Sequence, residues 1–365
     1  MPLSTAHKIL LCLRYGIGDL VMELPALDAV RAATPGAQLT AIGARPAIEL
    51  LEGDRRIDTL LALQDFGLTH WGDGGTAQSW GEIRGWLRRE NFDAVLDPSH
   101  APPGLAEAIW KHGATIYDAG TEAQDRVLQA GRGGAAAVRA SVAAGWGLPL
   151  PPSARPRIVG RPDELAFARR FLRQKGLGDI APIGLSPVAS SPLKRWPMAR
   201  FAELVERLAA MTYAPLLLFY GPQEEIGAAL QSMLRDRLPL VAVGALHLRA
   251  VAALLAACRL FIGHDTGLMH LAAAVGAPVV ALFGPTSPDI YLPSQVPAVG
   301  VGGRDDCPWR TTWAFGPSKC LTEGGCLHDR RSCIDEVEVE QVLAAISSLD
   351  IEGRADRRRP SFRPG

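Results

Sequence analysis

The sequence predicts an α/β protein made of two domains, each with its own parallel β-sheet. At 365 residues the chain is longer than one typical domain. Short β-rich runs alternate with helical patterns in both halves, which is typical of β-α-β units. A proline-rich stretch without periodicity separates the halves. We therefore expect domains at residues 1–150 and 161–350, a linker at 151–160 and a disordered tail at 351–365.

The individual elements follow from this alternation. Before the linker the strand-like runs are KILLCL, QLTAIG, DTLLAL, DAVLDP and ATIYDA, with helical stretches such as LVMELPALDAVRAA between them. After the linker they are PIGLSP, APLLLFYG, LPLVAVG, CRLFIGHD and PVVALFGP. Ligands of open parallel sheets bind beyond the carboxyl ends of the strands. We therefore expect functional residues in the loops that begin at Arg14, Ser186, Tyr220, Gly263 and Phe283.

Composition excludes several classes of protein. The hydrophobic fraction of 48% and the charged fraction of 21% fit a globular protein, and a formal net charge of zero gives no reason to expect a nucleic-acid partner. No apolar run reaches the length of a membrane span, and the first apolar run resembles a buried strand rather than a signal peptide. We predict a cytoplasmic protein with at most peripheral contact at the inner face of the cytoplasmic membrane, to which the basic tail could contribute.

The first candidate loop reads RYGIGDLVMELPALDAV. Gly16 and Gly18 allow a tight strand-to-helix turn, and Asp19 then stands at the start of the helix. Asp19 is either a helix cap or a general base that removes a proton from an acceptor hydroxyl. Glu23, one turn later, is either a second polar contact or a solvated residue. The glycine pair does not match the dinucleotide-binding pattern GxGxxG.

The second candidate loop reads GLSPVASSPLKRWPMARFAELVERLA. Ser186, Ser190 and Ser191 offer hydroxyl groups. Lys194 offers a compact cation just after a strand, which suits a phosphate, although a solvated surface lysine fits the same position. Trp196 is interpreted as a packing residue rather than a stacking platform.

The third candidate loop reads FIGHDTGLMHLAAAVG. Asp265 or Thr266 could simply cap the helix that begins there. Alternatively, Gly263 and Gly267 let a ligand approach the backbone, and the N–H groups and dipole of the helix bind a diphosphate. His270 lies one turn along the helix, where it is either a ligand contact or a structural histidine.

These loops together strongly resemble glycosyltransferase family 9, the heptosyltransferases of lipopolysaccharide core assembly. The matching segments include LLCLRYGIGDLVMELPALDAVRAATPGAQLTAIG, SPVASSPLKRWPMARFAELVERL, LLLFYGPQEE and LFIGHDTGLMHLAAAVGAPVVALFGPTSP. They occur in order and span most of residues 8–345. The combination of GD, KRWP and D-[ST]-G-x-x-H-L-A in three successive loops is far more specific than any one of these motifs.

The resemblance implies a GT-B architecture, in which two Rossmann-like domains with parallel sheets face a central cleft. It implies an inverting transfer of heptose from ADP-heptose, bound by the second domain, to a glycan or lipid-linked acceptor on the first, with no cofactor required for catalysis. The implied catalytic residues are Asp19, as the base, and Lys194, as a phosphate contact. The implied donor-binding residues are Ser186, Ser190, Lys194, Glu224, Glu225, Asp265, Thr266, Gly267 and His270. Gly18 and Glu23 are the candidate acceptor contacts.

Two departures leave the acceptor open. Glu23 stands where members of the family often carry histidine, and residues 121–147 show no identifiable acceptor motif. A lipopolysaccharide core, another polysaccharide, a protein or a natural product would fit the same donor machinery. Two alternatives come from other classes of function: a GT-B sugar-nucleotide epimerase or hydrolase, and a non-catalytic binding protein. The presence of both Asp19 and Lys194 argues against the second.

The six cysteines form two groups. Cys12 and Cys258 lie in apolar runs and are predicted core residues. The other four, with His328 as a further candidate ligand, fall in a Cys-rich segment at residues 307–333: Cys307, Cys320, Cys326 and Cys333. Their spacing lacks the CxxC pattern of a strong zinc site. Related autotransporter heptosyltransferases bind iron through such a cluster, so the alternatives are a structural zinc or iron ion and reduced cysteines packed under a loop.

Overall fold

A computed structural model describes most of the chain: residues 2–13, 16–68, 76–97, 115–118, 146–178, 180–212, 214–221, 224–234, 238, 240–304, 306–310, 318–328 and 331–349. The chain divides into two compact units, with the boundary between Pro156 and Arg157. This boundary falls inside the predicted linker at 151–160. The predicted disordered tail at 351–365 and most of the segment 121–147 lie outside the described residues.

Unit 1 contains one parallel sheet. Its strands are β1 (Lys8–Cys12), β2 (Gln38–Gly43), β3 (Thr59–Ala62), β4 (Ala94–Asp97) and β5 (Thr115–Asp118), and its described helices are α1 (Ile17–Ala33) and α2 (Ala77–Glu90). Short 3-10 turns span Leu3–Thr5, Ala47–Leu51 and Leu63–Phe66. The strand order is β3-β2-β1-β4-β5. All five strand-like runs predicted before the linker are therefore confirmed.

The core of unit 1 explains why its strands are nearly continuous apolar runs. Leu10 of β1, Ile42 of β2 and Val95 of β4 are buried in one cluster with side chains such as Leu87 of α2. Other residues of the same strands, such as Ile9, are buried outside that cluster. Strands covered on both faces need apolar residues at consecutive positions, which is the usual pattern of parallel sheets.

Unit 2 contains a second parallel sheet. Its strands are β6 (Ile183–Ser186), β7 (Leu216–Phe219), β8 (Leu240–Val243), β9 (Leu260–His264), β10 (Val279–Phe283) and β11 (Ala298–Gly302). Its described helices are α3 (Pro162–Gln174), α4 (Met198–Met211), α5 (Glu225–Leu234), α6 (Leu248–Ala257), α7 (Gly267–Ala274), α8 (Pro288–Tyr291), α9 (Lys319–Glu323) and α10 (Val339–Ser348). Turns of 3-10 helix span Pro192–Lys194 and Cys333–Glu336. None of the helices in the described part of the chain is long and apolar enough to cross a membrane.

The strand order of unit 2, β11-β10-β9-β6-β7-β8, reverses between β6 and β9. The chain builds outward from β6 to β8 on one side and from β9 to β11 on the other. At the reversal, Leu185 pairs with Ile262 and Ser186 pairs with Gly263. The loops after two such strands separate and leave a crevice at the carboxyl edge, where ligands of open α/β sheets bind.

Strand β11 is the described strand that the sequence did not predict. Its sequence, AVGVG, carries two glycines, which weaken a strand pattern. Both positions are crowded: a Cβ at Gly300 would lie 2.6 Å from Pro288 Cβ, and one at Gly302 would lie 2.7 Å from Arg310 Nη2. Close packing against Pro288 therefore explains the glycine at position 300, whereas the neighbour of Gly302 is the flexible end of an arginine side chain.

Candidate functional site

An ion pair lies at the carboxyl edge of the unit 2 sheet, beside the reversal of strand order. Lys194, in the loop after β6, places its Nζ 2.8 Å from Asp265 Oδ2, directly after β9. The same ammonium lies 3.4 Å from the Asp265 carbonyl oxygen. The Lys194 side chain is 18% exposed and that of Asp265 is 6% exposed. The structure thus brings together two residues that the sequence assigned to donor binding.

Asp265 has further partners around its carboxylate. Thr286, in the loop after β10, donates a hydrogen bond of 2.7 Å to Asp265 Oδ2. His270 Nε2, from α7, lies 4.0 Å from Asp265 Oδ1. Burial raises the pKa of Asp265, but the charges of Lys194 and His270 and the hydrogen bonds from Lys194 and Thr286 outweigh burial and lower it overall. Asp265 is therefore ionised at neutral pH.

The interpretation of this junction as a simple helix cap is wrong. The N-cap of α7 is Thr266, and its side chain accepts no capping hydrogen bond. Asp265 precedes the cap, and its carboxylate is engaged by Lys194 and Thr286 instead. The predicted helix itself is confirmed, since α7 spans Gly267–Ala274.

The segment that carries Lys194, residues 187–196, is here named the Lys194 loop. Ser191 Oγ accepts a 3.3 Å hydrogen bond from the Leu193 N–H at the start of the 3-10 turn. Arg195 Nε donates a 2.7 Å hydrogen bond to the Ala189 carbonyl and so closes the loop on itself. A Cβ at Gly284, after β10, would lie 2.6 Å from the Leu193 carbonyl oxygen. Glycine at that position allows the loop to approach the sheet edge.

His264, the last residue of β9, holds the two ends of the Lys194 loop. Its Nε2 accepts a 2.9 Å hydrogen bond from the Trp196 backbone N–H. Its Nδ1 lies 3.3 Å from the Val188 carbonyl oxygen, to which it donates in the tautomer that leaves Nε2 as the acceptor. Burial lowers the pKa of His264 to about 4, so the imidazole is neutral at pH 7.

Trp196 is a packing residue, as predicted. It is 3% exposed, and its ring packs edge-on against Phe201 of α4. Its indole N–H donates a 2.8 Å hydrogen bond to the Val337 carbonyl. The Lys194 loop is thereby attached to the segment that precedes α10.

The other predicted donor contacts lie along the same sheet edge. Ser186 ends β6, and its buried Oγ has no hydrogen-bond partner among the described residues. Ser190 is exposed on the Lys194 loop. Glu225 is the first residue of α5 and Glu224 precedes it, so both follow β7, the strand beside β6. They lie one strand away from the Lys194–Asp265 pair.

In unit 1, Asp19 lies in the first turn of α1, whose N-cap is Gly16. Asp19 is therefore not the N-cap residue, although a carboxylate in the first turn interacts favourably with the helix dipole. A Cβ at Gly16 would lie 2.5 Å from Asp19 Oδ2, so glycine is needed there for the carboxylate to take this position. Gly18, a candidate acceptor contact, immediately precedes Asp19 on the same turn.

Glu23 lies one turn further along α1. The interpretation of Glu23 as a solvated residue is wrong, because it is only 4% exposed. Its side chain lines a cavity with Trp146 and apolar residues of β1 and α1.

The Cys-rich segment shows one close contact between candidate ligands: Cys307 Sγ lies 3.3 Å from His328 Nε2. All six cysteines are free thiols, and Cys12 and Cys258 are buried as predicted. Burial raises the pKa of Cys333 to about 11. Among the described residues, no three histidine, cysteine or carboxylate side chains form a group that could hold a metal ion.

Sequence reasoning missed two residues of the site, Thr286 and His264. Both were visible in the sequence as polar residues at strand ends, Thr286 in GPTSP after β10 and His264 at the end of β9. Their roles could not be assigned, because their partners lie 21 and 68 positions away in the chain.

Comparison with known proteins gives these observations a family context. Residues 139–308 match the model of glycosyltransferase family 9 (heptosyltransferase). The chain is 36% identical over 148 residues to lipooligosaccharide heptosyltransferase 2 of Haemophilus influenzae, covering 39% of this chain and 42% of that protein. It is 40% identical over 116 residues to lipopolysaccharide heptosyltransferase 2 of Salmonella typhimurium, covering 30% of this chain and 33% of that protein. The aligned stretches thus span less than half the length of these curated relatives.

Similarity to solved structures extends over nearly the whole chain. A glycosyl transferase family 9 protein from Veillonella parvula superposes with a TM-score of 0.72 at 21% identity, covering 96% of this chain and 99% of that one. ADP-heptose LPS heptosyltransferase II of Escherichia coli gives a TM-score of 0.66 at 21% identity, covering 95% and 99%. Likeness at this level of identity establishes the fold and confirms the GT-B class.

Proposed function

We propose that this chain is a member of glycosyltransferase family 9 and an inverting heptosyltransferase that uses ADP-heptose. The observation that carries this proposal is the Lys194–Asp265 pair at the reversal of strand order in unit 2. A cation at that edge, beside the N-terminus of α7, is suited to a diphosphate.

The donor diphosphate is proposed to bind between Lys194 and the start of α7. An ammonium group has three N–H donors. Lys194 directs two of them to Asp265, one to its carboxylate and one to its carbonyl oxygen. The remaining N–H is available to a phosphate oxygen. The Ser186 hydroxyl, which has no partner in the described part of the chain, and the exposed Ser190 are proposed as further phosphate contacts.

Around the diphosphate, Thr266 and Gly267 would contribute backbone N–H groups at the helix start. Asp265 and His270 would contact the donor sugar, and Glu224 or Glu225 the adenosine. These assignments are supported by the position of each residue at the carboxyl edge of the sheet.

The proposed reaction is a single displacement at the anomeric carbon. Asp19 takes the proton of the acceptor hydroxyl, the acceptor oxygen forms a bond to the anomeric carbon, and the bond from that carbon to the diphosphate breaks. ADP leaves with the bonding electrons. Lys194 and the N-terminus of α7 stabilise the charge that develops on the leaving diphosphate.

The acceptor is proposed to be a glycan or lipid-linked glycan of lipopolysaccharide core synthesis. The names of the aligned relatives support this choice. Gly18 and Glu23, on the same helix as Asp19, are the proposed acceptor contacts. A cytoplasmic location, with peripheral contact at the inner face of the cytoplasmic membrane, remains a prediction from the sequence, as does the absence of a nucleic-acid partner.

Two substitutions test the proposal. Asp19→Asn should lower the rate of transfer by a factor on the order of a thousand or more, because the base is lost. ADP affinity should be nearly unchanged. Lys194→Ala should lower both transfer and ADP affinity, the latter about tenfold or more, because a charged phosphate contact is lost. Product mass spectrometry with ADP-heptose and a core-oligosaccharide library measures transfer, and calorimetry measures ADP binding.

The matched controls are Asp163→Asn, which removes another carboxylate in the first turn of a helix, and Lys175→Ala, which removes an exposed lysine. Neither control should change transfer or ADP affinity. Wild-type activity of Asp19→Asn would refute the base. Release of ADP without any acceptor would instead favour a sugar-nucleotide hydrolase, and conversion of the donor sugar an epimerase.

A structural zinc or iron ion in the Cys-rich segment remains a separate proposal, and no step of the reaction depends on it. Its support is the Cys307–His328 contact within a segment that holds four cysteines. Metal analysis should find about one equivalent of metal in the wild type and much less in Cys307→Ser. Cys258→Ser, which alters a buried core thiol, is the control, and a metal-free wild type purified without chelators would contradict the proposal.

A further inference from the structure

The Lys194 loop is an irregular connection between β6 and α4, so its backbone cannot rely on the sheet for hydrogen bonds. Its two ends nevertheless carry polar groups that face the end of β9, the Val188 carbonyl and the Trp196 N–H. A buried backbone group without a hydrogen-bond partner destabilises the folded chain. The side chain that meets both groups is His264.

We infer that His264 is a positioning residue that clamps both ends of the Lys194 loop to the end of β9 and so places the Lys194 ammonium for the donor diphosphate. This inference rests on the proposed function for the ligand and on the observed contacts for the clamp. His264 adjoins Asp265, which holds the Lys194 side chain itself. Two consecutive residues of β9 and its following loop therefore fix the backbone and the side chain of the phosphate-binding segment.

A neutral imidazole is well suited to this task. One ring nitrogen must accept from the Trp196 N–H while the other donates to the Val188 carbonyl, and only the neutral ring offers both functions. The ring is fully buried and packs against Phe201, with the ring centroids 6.0 Å apart and the planes tilted by 41°, which restricts its orientation. A phenylalanine of similar shape would leave both backbone groups without a partner.

The rest of the loop depends on the same two ends. Arg195 Nε, next to Trp196, donates to the Ala189 carbonyl, next to Val188, so the clamp and this bond close the loop together. Lys194 lies directly before this closure, on the 3-10 turn Pro192–Lys194. Releasing His264 from Trp196 would therefore free the backbone at the point from which Lys194 extends.

The test uses three variants of the full chain. His264→Phe removes both hydrogen bonds. His264→Asn keeps a donor near the position of Nδ1 but loses the acceptor at the position of Nε2. His264→Gln keeps an acceptor that reaches the Trp196 N–H. The control is His247→Phe, because His247 also accepts a backbone N–H, that of Arg249, at the start of α6. ADP affinity is measured by calorimetry and protection of the Trp196 amide by hydrogen exchange.

We expect His264→Phe and His264→Asn to weaken ADP binding about tenfold, because both lose the acceptor for the Trp196 N–H next to Lys194. His264→Gln keeps that acceptor and should bind ADP within about threefold of wild type. KM for the donor should change more than kcat. Trp196 amide protection should fall in the Phe and Asn variants and return in Gln, and His247→Phe should change neither quantity. If His264→Phe fails to fold, the contrast between Asn and Gln decides.

The inference would be overturned if His264→Phe and His264→Asn kept the wild-type protection of the Trp196 amide. It would also be overturned if the wild type binds ADP and these variants bind it with the same affinity. Equal effects in all three His264 variants and in His247→Phe would also overturn it, because they would indicate general destabilisation. If the wild type binds no ADP, the proposed function fails, and the Trp196 amide exchange then decides the clamp separately.

Discussion

The Arg249–Glu164 and Lys194–Asp265 ion pairs of unit 2 differ in how completely their charges are satisfied. Arg249 of α6 binds both carboxylate oxygens of Glu164 in α3, with a 2.7 Å bond from Nη2 to Oε2, and also donates to the Val159 carbonyl. Its side chain is 5% exposed. In contrast, among the described residues the Lys194 ammonium contacts Asp265 alone, and the Lys194 side chain is 18% exposed.

We interpret the first pair as one that stabilises the fold and the second as one that is available to the proposed ligand. The Arg249 guanidinium is held in a two-pronged arrangement that also fixes the start of α3, since Glu164 accepts from the Arg161 N–H. The Lys194 ammonium keeps donor capacity and access to solvent at the edge where a ligand is expected. The comparison predicts that the first pair matters for stability and the second for binding.

The largest effect on stability is expected from Glu164→Ala. It leaves Arg249 buried without its carboxylate, and breaking a buried pair in this way costs about 3–5 kcal/mol. Asp265→Ala should cost less than about 2 kcal/mol, because water can reach the released Lys194. Urea denaturation measures both values. A larger loss in Asp265→Ala than in Glu164→Ala would reverse the roles assigned to the two pairs.

Acid should weaken the site region in a defined range of pH. The folded-state pKa of His264 is about 4, below its ordinary value of 6.5. Between these values His264 binds a proton in the unfolded chain but not in the folded chain, so the free energy of unfolding falls as pH falls from 6.5 to 4. The total loss is about 3 kcal/mol. Below pH 4 His264 causes no further loss. Denaturation of wild type and His264→Gln across this range checks the prediction, since the variant should lose this component. Identical pH profiles would contradict it.

The smallest effect on stability is expected from Ser186→Ala. Because the buried Ser186 hydroxyl has no partner among the described residues, removing it should change the free energy of unfolding by less than about 0.5 kcal/mol. If the hydroxyl binds phosphate, ADP affinity should nevertheless fall by roughly threefold to tenfold. Ser347→Ala, in α10, is a control in which a hydroxyl does have a partner, the Leu343 carbonyl. An unchanged ADP affinity would remove Ser186 from the site.

Much of the architecture followed from local patterns in the chain. The apolar runs predicted β1 to β10 because strands covered on both faces must be apolar, and the proline-rich stretch predicted a division near the observed boundary at Pro156. Strand β11 was not predicted, because its two glycines weaken a strand pattern and the close contact that explains Gly300 comes from Pro288 in another element. The three motifs also predicted the resemblance to glycosyltransferase family 9 and most of the candidate site residues.

The partners of those residues depended on the folded chain. Sequence spacing shows that Asp265 begins a helix region, but not that its carboxylate binds a lysine 71 positions earlier and Thr286 rather than capping that helix. Likewise, the sequence shows His264 only as a polar residue in an apolar run. Its partner, the Trp196 N–H, becomes apparent only in the folded chain. Local propensity determines strands and helices, whereas the pairing of distant buried polar groups is determined by which strand ends the sheet places side by side.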